Sequence, residues 1–214
     1  MNTPAPVPVR PVRLHRSQIS GHCHRIELFL SLLGLPYELV DVDLLRGEHK
    51  APAFLALNPF GQLPVIQDGE TTLADSNAIL VYLEGRYAPG QWLPRDPLGA
   101  ARVQRWLSVA AGQLAFGPAV ARVIHLFKRP QDPADAQARA NQLFSLMQQE
   151  LSAQPFLAGP QPTLADIAMY SYTVLAPEGG VSLEPYPAIG RWLARIEALP
   201  GFVPMLRSPV GLAA

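Results

Sequence analysis

The sequence predicts two domains of different class, an α/β domain followed by an all-helical domain. Short β-rich segments alternate with amphipathic helical patterns over residues 12–88. Residues 89–97 contain three prolines and one glycine, a composition typical of an interdomain linker. Residues 98–214 then show helical patterns and no convincing strand. The proline-rich residues 1–11 predict a flexible arm.

The composition limits the classes of partner. The chain has 214 residues, of which 49% are hydrophobic, and its 17 basic residues balance 17 acidic ones. This balance provides no field that attracts nucleic acid or an anionic membrane. No apolar run approaches the roughly 20 residues that span a bilayer, so we expect neither nucleic acid nor a membrane as a partner. The single cysteine, Cys23, excludes an internal disulfide and a Cys-x-x-Cys motif, which favours a cytoplasmic protein.

The first elements follow from hydrophobic periodicity. Val12–His15 predicts a short strand, and the polar stretch Ser17–His22 predicts a turn. From His24, apolar residues recur at helical spacing until Gly34, and Tyr37–Val42 predicts a second strand. A strand, a helix and a strand in this order predict a parallel strand pair.

A second group of elements follows a charged loop. Ala53–Leu57 predicts a short helix, and Leu63–Ile66 predicts a strand. Asp68-Gly69 is a hairpin signal between that strand and Thr71–Leu73. Asp75–Tyr87 has helical spacing. The first domain is therefore predicted as β-α-β followed by β-β-α.

Helical patterns continue through the second half of the chain. The first helix is expected to kink at Gly117-Pro118. Thr163–Asp166 has the capping-box pattern that precedes a helix. The predicted helices are Leu98–Phe127, Asp132 to about Ser152, Ile167–Leu175 and Pro187–Leu199.

Four segments of this sequence resemble the cytosolic glutathione S-transferase family. Two lie in the first half, Asn58–Ile66 (NPFGQLPVI) and Leu73–Leu80 (LADSNAIL), and two in the second, Pro162–Asp166 (PTLAD) and Tyr186–Trp192 (YPAIGRW). Nearly the whole chain after residue 11 is covered. The resemblance implies a thioredoxin-like, glutathione-binding α/β domain and an all-α helical-bundle domain. Within the family, the chain looks like the serine-type theta, zeta or nu members.

The resemblance also implies how the first domain holds glutathione. Pro64 is expected to be a cis-proline, and the alternative is a trans-proline at a strand edge. The backbone of Leu63 is expected to pair with the cysteinyl part of the ligand as an added strand does. Asp75 and Ser76 open a helix, and both are expected to contact the ligand. The free N–H groups and positive end of that helix are expected to bind the γ-glutamyl carboxylate, with the Ser76 hydroxyl as a further donor. The alternative for both residues is N-capping alone.

Three further residues match family positions that contact the glycyl carboxylate or the ligand backbone. They are His49, Lys50 and Gln62. Family members often have a lysine where this chain has Gln62, so a charge is missing there. A solvated loop is the alternative interpretation of His49 and Lys50.

A transferase of this family must lower the pKa of the glutathione thiol, which is near ~8.5 when free. By resemblance, Ser20 occupies the place of the catalytic serine, and Ser17 is the second candidate because the turn varies in length. Cys23 is interpreted as a small residue packed beneath the site; the alternative is a nucleophile that forms a mixed disulfide with glutathione. His22 and His24 are expected to be solvated, or to lie behind the site.

The sequence gives less information about the second substrate than about glutathione. The pocket of the second substrate is expected at Gln113, Phe116 and Gly117, with ordinary helix packing as the alternative for each. The implied activity is transfer of an alkyl or aryl group from a small hydrophobic electrophile to glutathione, the co-substrate, without a metal. Disulfide reduction, peroxidase and isomerase activities remain open, as does a non-catalytic binding or regulatory protein of this fold. The resemblance also implies a homodimer.

Overall fold

The computed structural model describes residues 7–208, which form two compact units. The first unit extends to Leu93 and includes Pro200–Pro204. The second contains Pro94–Leu199 and resumes at Met205. The first unit is of the α/β class and the second is helical, which confirms the predicted fold class.

Part of the predicted arm lies outside this description. Residues 1–6 of the arm, like residues 209–214, are not among the described residues. Residues 7–11 contain no helix or strand, and regular structure begins at Val12.

A four-stranded mixed sheet, in the order β2-β1-β3-β4, organises the first unit. β1 (Val12–Arg16) lies parallel to β2 (Tyr37–Asp41), which confirms the predicted parallel pair. β3 (Val65–Asp68) is antiparallel to β1, and β4 (Thr71–Ala74) is antiparallel to β3. Gly69 forms the hairpin turn with a φ of 58°, which a residue without a Cβ adopts at little cost.

β3 begins later than the sequence predicts. The Leu63-Pro64 peptide bond is cis, as the resemblance implied. Pro64 has no N–H to donate to a neighbouring strand. Regular pairing therefore begins at Val65, and it continues to Asp68 rather than ending at Ile66.

α1 (Gly21–Leu32) begins earlier than the sequence predicts, because Ser20 caps it. The Oγ of Ser20 accepts a hydrogen bond from the backbone N–H of Cys23 at 3.3 Å, and so satisfies a donor that a helix start leaves unpaired. The helix ends, as predicted, just before Gly34, which has a φ of 63°. Residues 21 and 22 are therefore helical, not part of a turn.

The core of the first unit lies between the sheet and two helices, α1 and α3 (Ser76–Tyr87), which contact each other. A short helix, α2 (Pro52–Leu55), follows β2. The apolar side chains shared by these layers have no exposed surface. They include Val12, Leu14, Ile26, Phe29, Ile66, Ile79 and Leu83. Val65 instead belongs to a second cluster, with Val42 and Phe54.

The long helix predicted over Leu98–Phe127 consists of three successive segments. α4 (Pro97–Val109) and α5 (Val120–Leu126) are α-helical, whereas Ala110–Ala119 between them has π-helical bonding. Pro118 lies inside this segment and lacks an N–H, so it interrupts the regular bonding of an α-helix. The change in geometry falls where the sequence predicts a kink.

The same stretch, Pro97–Leu126, is long and apolar enough by length and composition to cross a membrane. It is the one helical stretch of residues 7–208 that meets this criterion. Half of the most apolar part of this stretch is buried inside the structure. The core helix of a folded protein can have the same length and composition.

The other helices of the second unit lie close to their predicted positions. The capping box is confirmed: Oδ2 of Asp166 accepts a hydrogen bond from the Thr163 N–H at 2.8 Å. Asp166 has no exposed surface, and its Oδ1 also accepts a hydrogen bond from Nε1 of Trp192 at 2.8 Å. The three helices are α6 (Ala134–Ala153), α7 (Leu164–Val174) and α8 (Pro187–Glu197).

Candidate active site

Three segments singled out in the sequence meet at one end of the sheet in the first unit. His15, near the end of β1, lies opposite Val65 at the start of β3. Val65 in turn lies opposite Ala74 at the end of β4. The turn after β1, the cis-proline before β3 and the start of α3 after β4 therefore lie at the same end of the sheet.

Ser20 is half-buried at the start of α1. Its backbone N–H donates to the carbonyl of Ser17 at 3.0 Å, and its Oγ accepts from the Cys23 N–H, so its position is fixed. A hydroxyl that accepts one hydrogen bond keeps its own proton to donate, and in this structure the Sγ of Cys23 is an acceptor within its reach. That proton lies at the N-terminal end of α1, where the helix dipole favours negative charge.

Cys23 is a buried thiol with no exposed surface. Its Sγ accepts a hydrogen bond from the backbone N–H of Ser17 at 3.4 Å. Burial raises the pKa of Cys23 to about 11, although hydrogen bonds from Ser20 and Ser17 oppose the shift. The thiol is therefore protonated at neutral pH, which agrees with its interpretation as a packing residue.

The start of α3 combines a backbone of unusual geometry with a buried hydroxyl. Asp75 has a φ of 71°, which is rare for a residue with a Cβ. Its Oδ1 accepts a hydrogen bond from the Ala78 N–H at 2.9 Å, so it is the N-cap. Ser76, the first residue of the helix, is 5% exposed. N-capping by Asp75 is thus observed, and it leaves the Ser76 hydroxyl for another role.

Arg25 is the residue at this site that our sequence analysis missed. It is 1% exposed, and its Nη1 donates to Oγ of Ser76 at 2.7 Å and to Oδ1 of Asn77 at 2.8 Å. The signal in the sequence was its position four residues before Phe29, on the buried face of α1. A charged residue at such a position needs polar partners.

Two histidines, His22 and His24, lie close to Arg25 in the sequence and are partly or fully buried. His22 is half-buried, with Nδ1 at 3.5 Å from Oγ of Ser76. Burial, and secondarily the charge of Arg25, lowers its pKa to about 3. His24 is 5% exposed, with Nε2 at 2.9 Å from the carbonyl of Val203, and burial lowers its pKa to about 4. Of the two predicted environments, solvated or behind the site, these positions favour the second, and both side chains are neutral at pH 7.

The loop that carries His49 and Lys50 is tied to the turn that carries Gln62. Nζ of Lys50 donates to the carbonyl of Gly61 at 3.1 Å, and the amide of Asn58 donates to the carbonyl of Gln62 at 2.8 Å. The Nδ1 atom of His49 is buried and has no hydrogen-bond partner among residues 7–208. These contacts bring the three predicted residues into one region, with Gln62 exposed and Leu63 after it half-buried.

The residues expected to form the second-substrate pocket lie in the second unit and have different surroundings. Gln113 is exposed and lines a groove of about 410 Å³, together with residues of α4 and α6 such as Trp106 and Leu146. Phe116 is 64% exposed. Gly117 is buried against α6, where an added Cβ would lie 3.0 Å from the backbone nitrogen of Ala140.

The arrangement in the first unit suits a small anionic ligand. The starts of α1 and α3 provide positive helix ends, and Ser20 and Ser76 provide hydroxyl groups. Residues 7–208 contain no group of three or more side chains able to hold a metal ion.

Comparison with known proteins identifies the family. Residues 19–86 match the model of the glutathione S-transferase N-terminal domain, and residues 110–200 match that of the C-terminal domain. Human glutathione S-transferase theta-2 is 34% identical over 193 residues, covering 86% of this chain and 79% of that protein. Maleylacetoacetate isomerase of Pseudomonas aeruginosa is 33% identical over 200 residues, covering 89% and 93%.

A solved structure supports the same assignment. A glutathione S-transferase from Pseudomonas fluorescens superposes with a TM-score of 0.87 at 37% identity, covering 92% of this chain and 100% of that one. Both domain models match in the expected order, and the similarity extends over most of each relative. The chain belongs to the glutathione S-transferase family.

Proposed function

We propose that this protein is a glutathione transferase that activates the thiol of glutathione for attack on a small hydrophobic electrophile. The observation that carries the proposal is the strand register, which brings the turn after β1, Pro64 and the start of α3 to one end of the sheet. A ligand held there has its sulfur near the start of α1 and its γ-glutamyl end near the start of α3.

Binding is assigned to groups from all three segments. The backbone of Leu63 pairs with the cysteinyl part of glutathione, and Ser76 and the first N–H groups of α3 hold the γ-glutamyl carboxylate. Asp75 contributes from the same helix start. His49, Lys50 and Gln62 serve the glycyl end. Because Gln62 is neutral and Lys50 also bonds backbone carbonyls, we expect modest affinity at that end.

Thiol activation is assigned to Ser20. Lowering the pKa of a thiol by ~2 units requires about 2.7 kcal/mol of preferential stabilisation of the thiolate. A hydroxyl hydrogen bond to a charged acceptor and a helix N-terminus together supply free energies of this size. Ser20 is favoured over Ser17 because its oxygen is the N-cap of α1, so its donated proton and the helix end act at the same place.

Two matched variants test this assignment. Ser20→Ala should raise the pH at which bound glutathione forms the thiolate by one to two units, as ~2 kcal/mol of lost stabilisation requires, with nearly unchanged affinity. Ser17→Ala should leave the titration unchanged. The measurement is the ultraviolet absorbance of the bound thiolate against pH. An identical titration in the wild type and Ser20→Ala would exclude Ser20 as the donor.

The similarity to a maleylacetoacetate isomerase makes glutathione-dependent isomerisation the second candidate. Conjugation, disulfide or peroxide reduction and isomerisation use the same glutathione site and differ in the second substrate. Gln113, Phe116 and Gly117 remain the proposed residues for that substrate. Activities toward chloronitrobenzene, hydroxyethyl disulfide, cumene hydroperoxide and a cis-enone diacid separate these candidates.

A non-catalytic protein of this fold is the alternative from a different class. Its discriminating property is glutathione binding itself, since such a protein need not keep the thiol site. Retention on glutathione resin and a thermal shift in millimolar glutathione support the enzyme. Absence of both contradicts it.

The proposal includes a cytoplasmic homodimer that uses glutathione as its co-substrate. A two-fold dimer, with each first domain against the partner's second, is what the family resemblance implies. Light scattering should then give about twice the 23.3 kDa of one chain. A monomeric mass at micromolar concentration contradicts the dimer without affecting the glutathione site.

A further inference from the structure

Arg25 places a buried positive charge at the N-terminal end of α3. Its guanidinium is 1% exposed and contacts the first two residues of that helix, Ser76 and Asn77. The start of a helix already carries a partial positive charge. Two positive potentials therefore add at the point where the proposed function puts the γ-glutamyl carboxylate.

Arg25 also fixes the direction of the Ser76 hydroxyl group. A guanidinium has N–H donors and no acceptor, so the Ser76 oxygen is the acceptor in the hydrogen bond of 2.7 Å between them. The single proton of Ser76 must then be donated elsewhere, and polarisation by the charged donor strengthens that bond. In the structure the neighbouring acceptor is Nδ1 of His22, at the long distance of 3.5 Å.

We propose that Arg25 is a positioning residue that makes the start of α3 selective for a carboxylate, by holding Ser76 as an obligatory donor and by adding its buried charge. The inference rests on the proposed function, because the carboxylate is that of the γ-glutamyl group. Asn77 is the second anchor of the guanidinium.

The test compares two ligands that differ in one group. The first is glutathione, and the second is γ-aminobutyryl-cysteinyl-glycine, which lacks the α-carboxylate alone. Calorimetric titration gives the ratio of their dissociation constants for the wild type, Arg25→Met and Arg25→Lys. Arg86→Met is the matched control, since it removes the same charge from an exposed position at the other end of α3.

In the wild type, glutathione should bind more tightly than the analogue. Arg25→Met should reduce this preference about tenfold, the size expected for a charge-assisted contact, with the affinity for the analogue unchanged. Arg25→Lys should retain most of the preference, and Arg86→Met all of it. Equal weakening of both ligands by Arg25→Met means a purely structural role and overturns the proposal, as does an unchanged ratio.

A second variant keeps the test decisive if Arg25→Met does not fold. Asn77→Asp preserves the shape of the side chain and puts a carboxylate against the guanidinium of Arg25, which neutralises its charge. A negative charge in the first turn also favours the helix, so stability should not fall. The preference for glutathione should drop about tenfold; an unchanged ratio overturns the proposal. A wild type that binds neither ligand refutes the proposed function instead.

Discussion

At the scale of single residues, the turn before α1 places two side chains one helical turn apart in different surroundings. Ser20 is half-buried and keeps a proton to donate, whereas Cys23 has no exposed surface. The thiolate is the reactive form of cysteine, and burial raises the pKa of Cys23 to about 11. A serine acts without ionising, so the same turn favours Ser20 as the functional group.

We therefore expect Cys23 to resist alkylation in the folded protein. Iodoacetamide at pH 8 should leave the single thiol unmodified and the glutathione-dependent activity intact, whereas unfolding in guanidinium should expose one reactive thiol per chain. Mass spectrometry against time measures both. The positive control is a Ser20→Cys variant, whose new thiol should react quickly. Rapid loss of wild-type activity on alkylation would identify Cys23 as a catalytic nucleophile.

At the scale of elements, two glycines of the second unit show how closely helices approach. Gly179 ends the 3₁₀ turn Ala176–Gly179, where an added Cβ would lie 2.7 Å from the backbone nitrogen of Arg122 in α5. Gly190 lies inside α8, exposed, with nothing within 4 Å of such a Cβ. The first glycine is required by packing, and the second is not.

Alanine at these two positions should shift stability in opposite directions. Gly179→Ala forces backbone apart and should lower the free energy of unfolding by about 1–3 kcal/mol. Gly190→Ala removes a weak helix former and should raise it by up to about 1 kcal/mol. Urea unfolding followed by circular dichroism measures both variants. Equal stability of Gly179→Ala and wild type would mean that α5 and the 3₁₀ turn are packed less closely than described.

The distance along the chain between contacting residues explains which features the sequence could predict. The capping box of Thr163 and Asp166 was predictable because its partners are three residues apart. The start of α1 was missed because the cap of Ser20 precedes a polar stretch without apolar periodicity. Arg25 was missed because its partners, Ser76 and Asn77, are 51 and 52 residues away. Local signals thus gave the elements, and the family motifs gave Pro64 and the helix start, but tertiary contacts were needed to complete the site.

At the scale of the whole molecule, the buried histidines couple folding to pH. His24 bonds the carbonyl of Val203, in the segment Pro200–Pro204 that returns to the first unit. Burial lowers the pKa of His24 from 6.5 to about 4, and that of His22 from 6.5 to about 3. Both are neutral in the folded chain over a range in which the unfolded chain binds protons, so acid favours unfolding.

The sign and the pH range of this effect can be tested with His24→Gln. Above pH 6.5, His24 is neutral in both the folded and the unfolded chain, and its full contribution to the free energy of unfolding is present. Between pH 6.5 and about 4, His24 binds a proton in the unfolded chain but not in the folded one. The free energy of unfolding therefore falls as the pH falls through this range. The loss from His24 amounts to about 3 kcal/mol at most. In His24→Gln an amide N–H can still donate to the Val203 carbonyl, but it cannot titrate. We expect similar stability to wild type at pH 7.5 and a shallower decline between pH 6.5 and 4.5, measured by urea unfolding. Parallel declines for the two proteins would show that His24 is protonated in the folded state, and that its environment is more polar than its burial indicates.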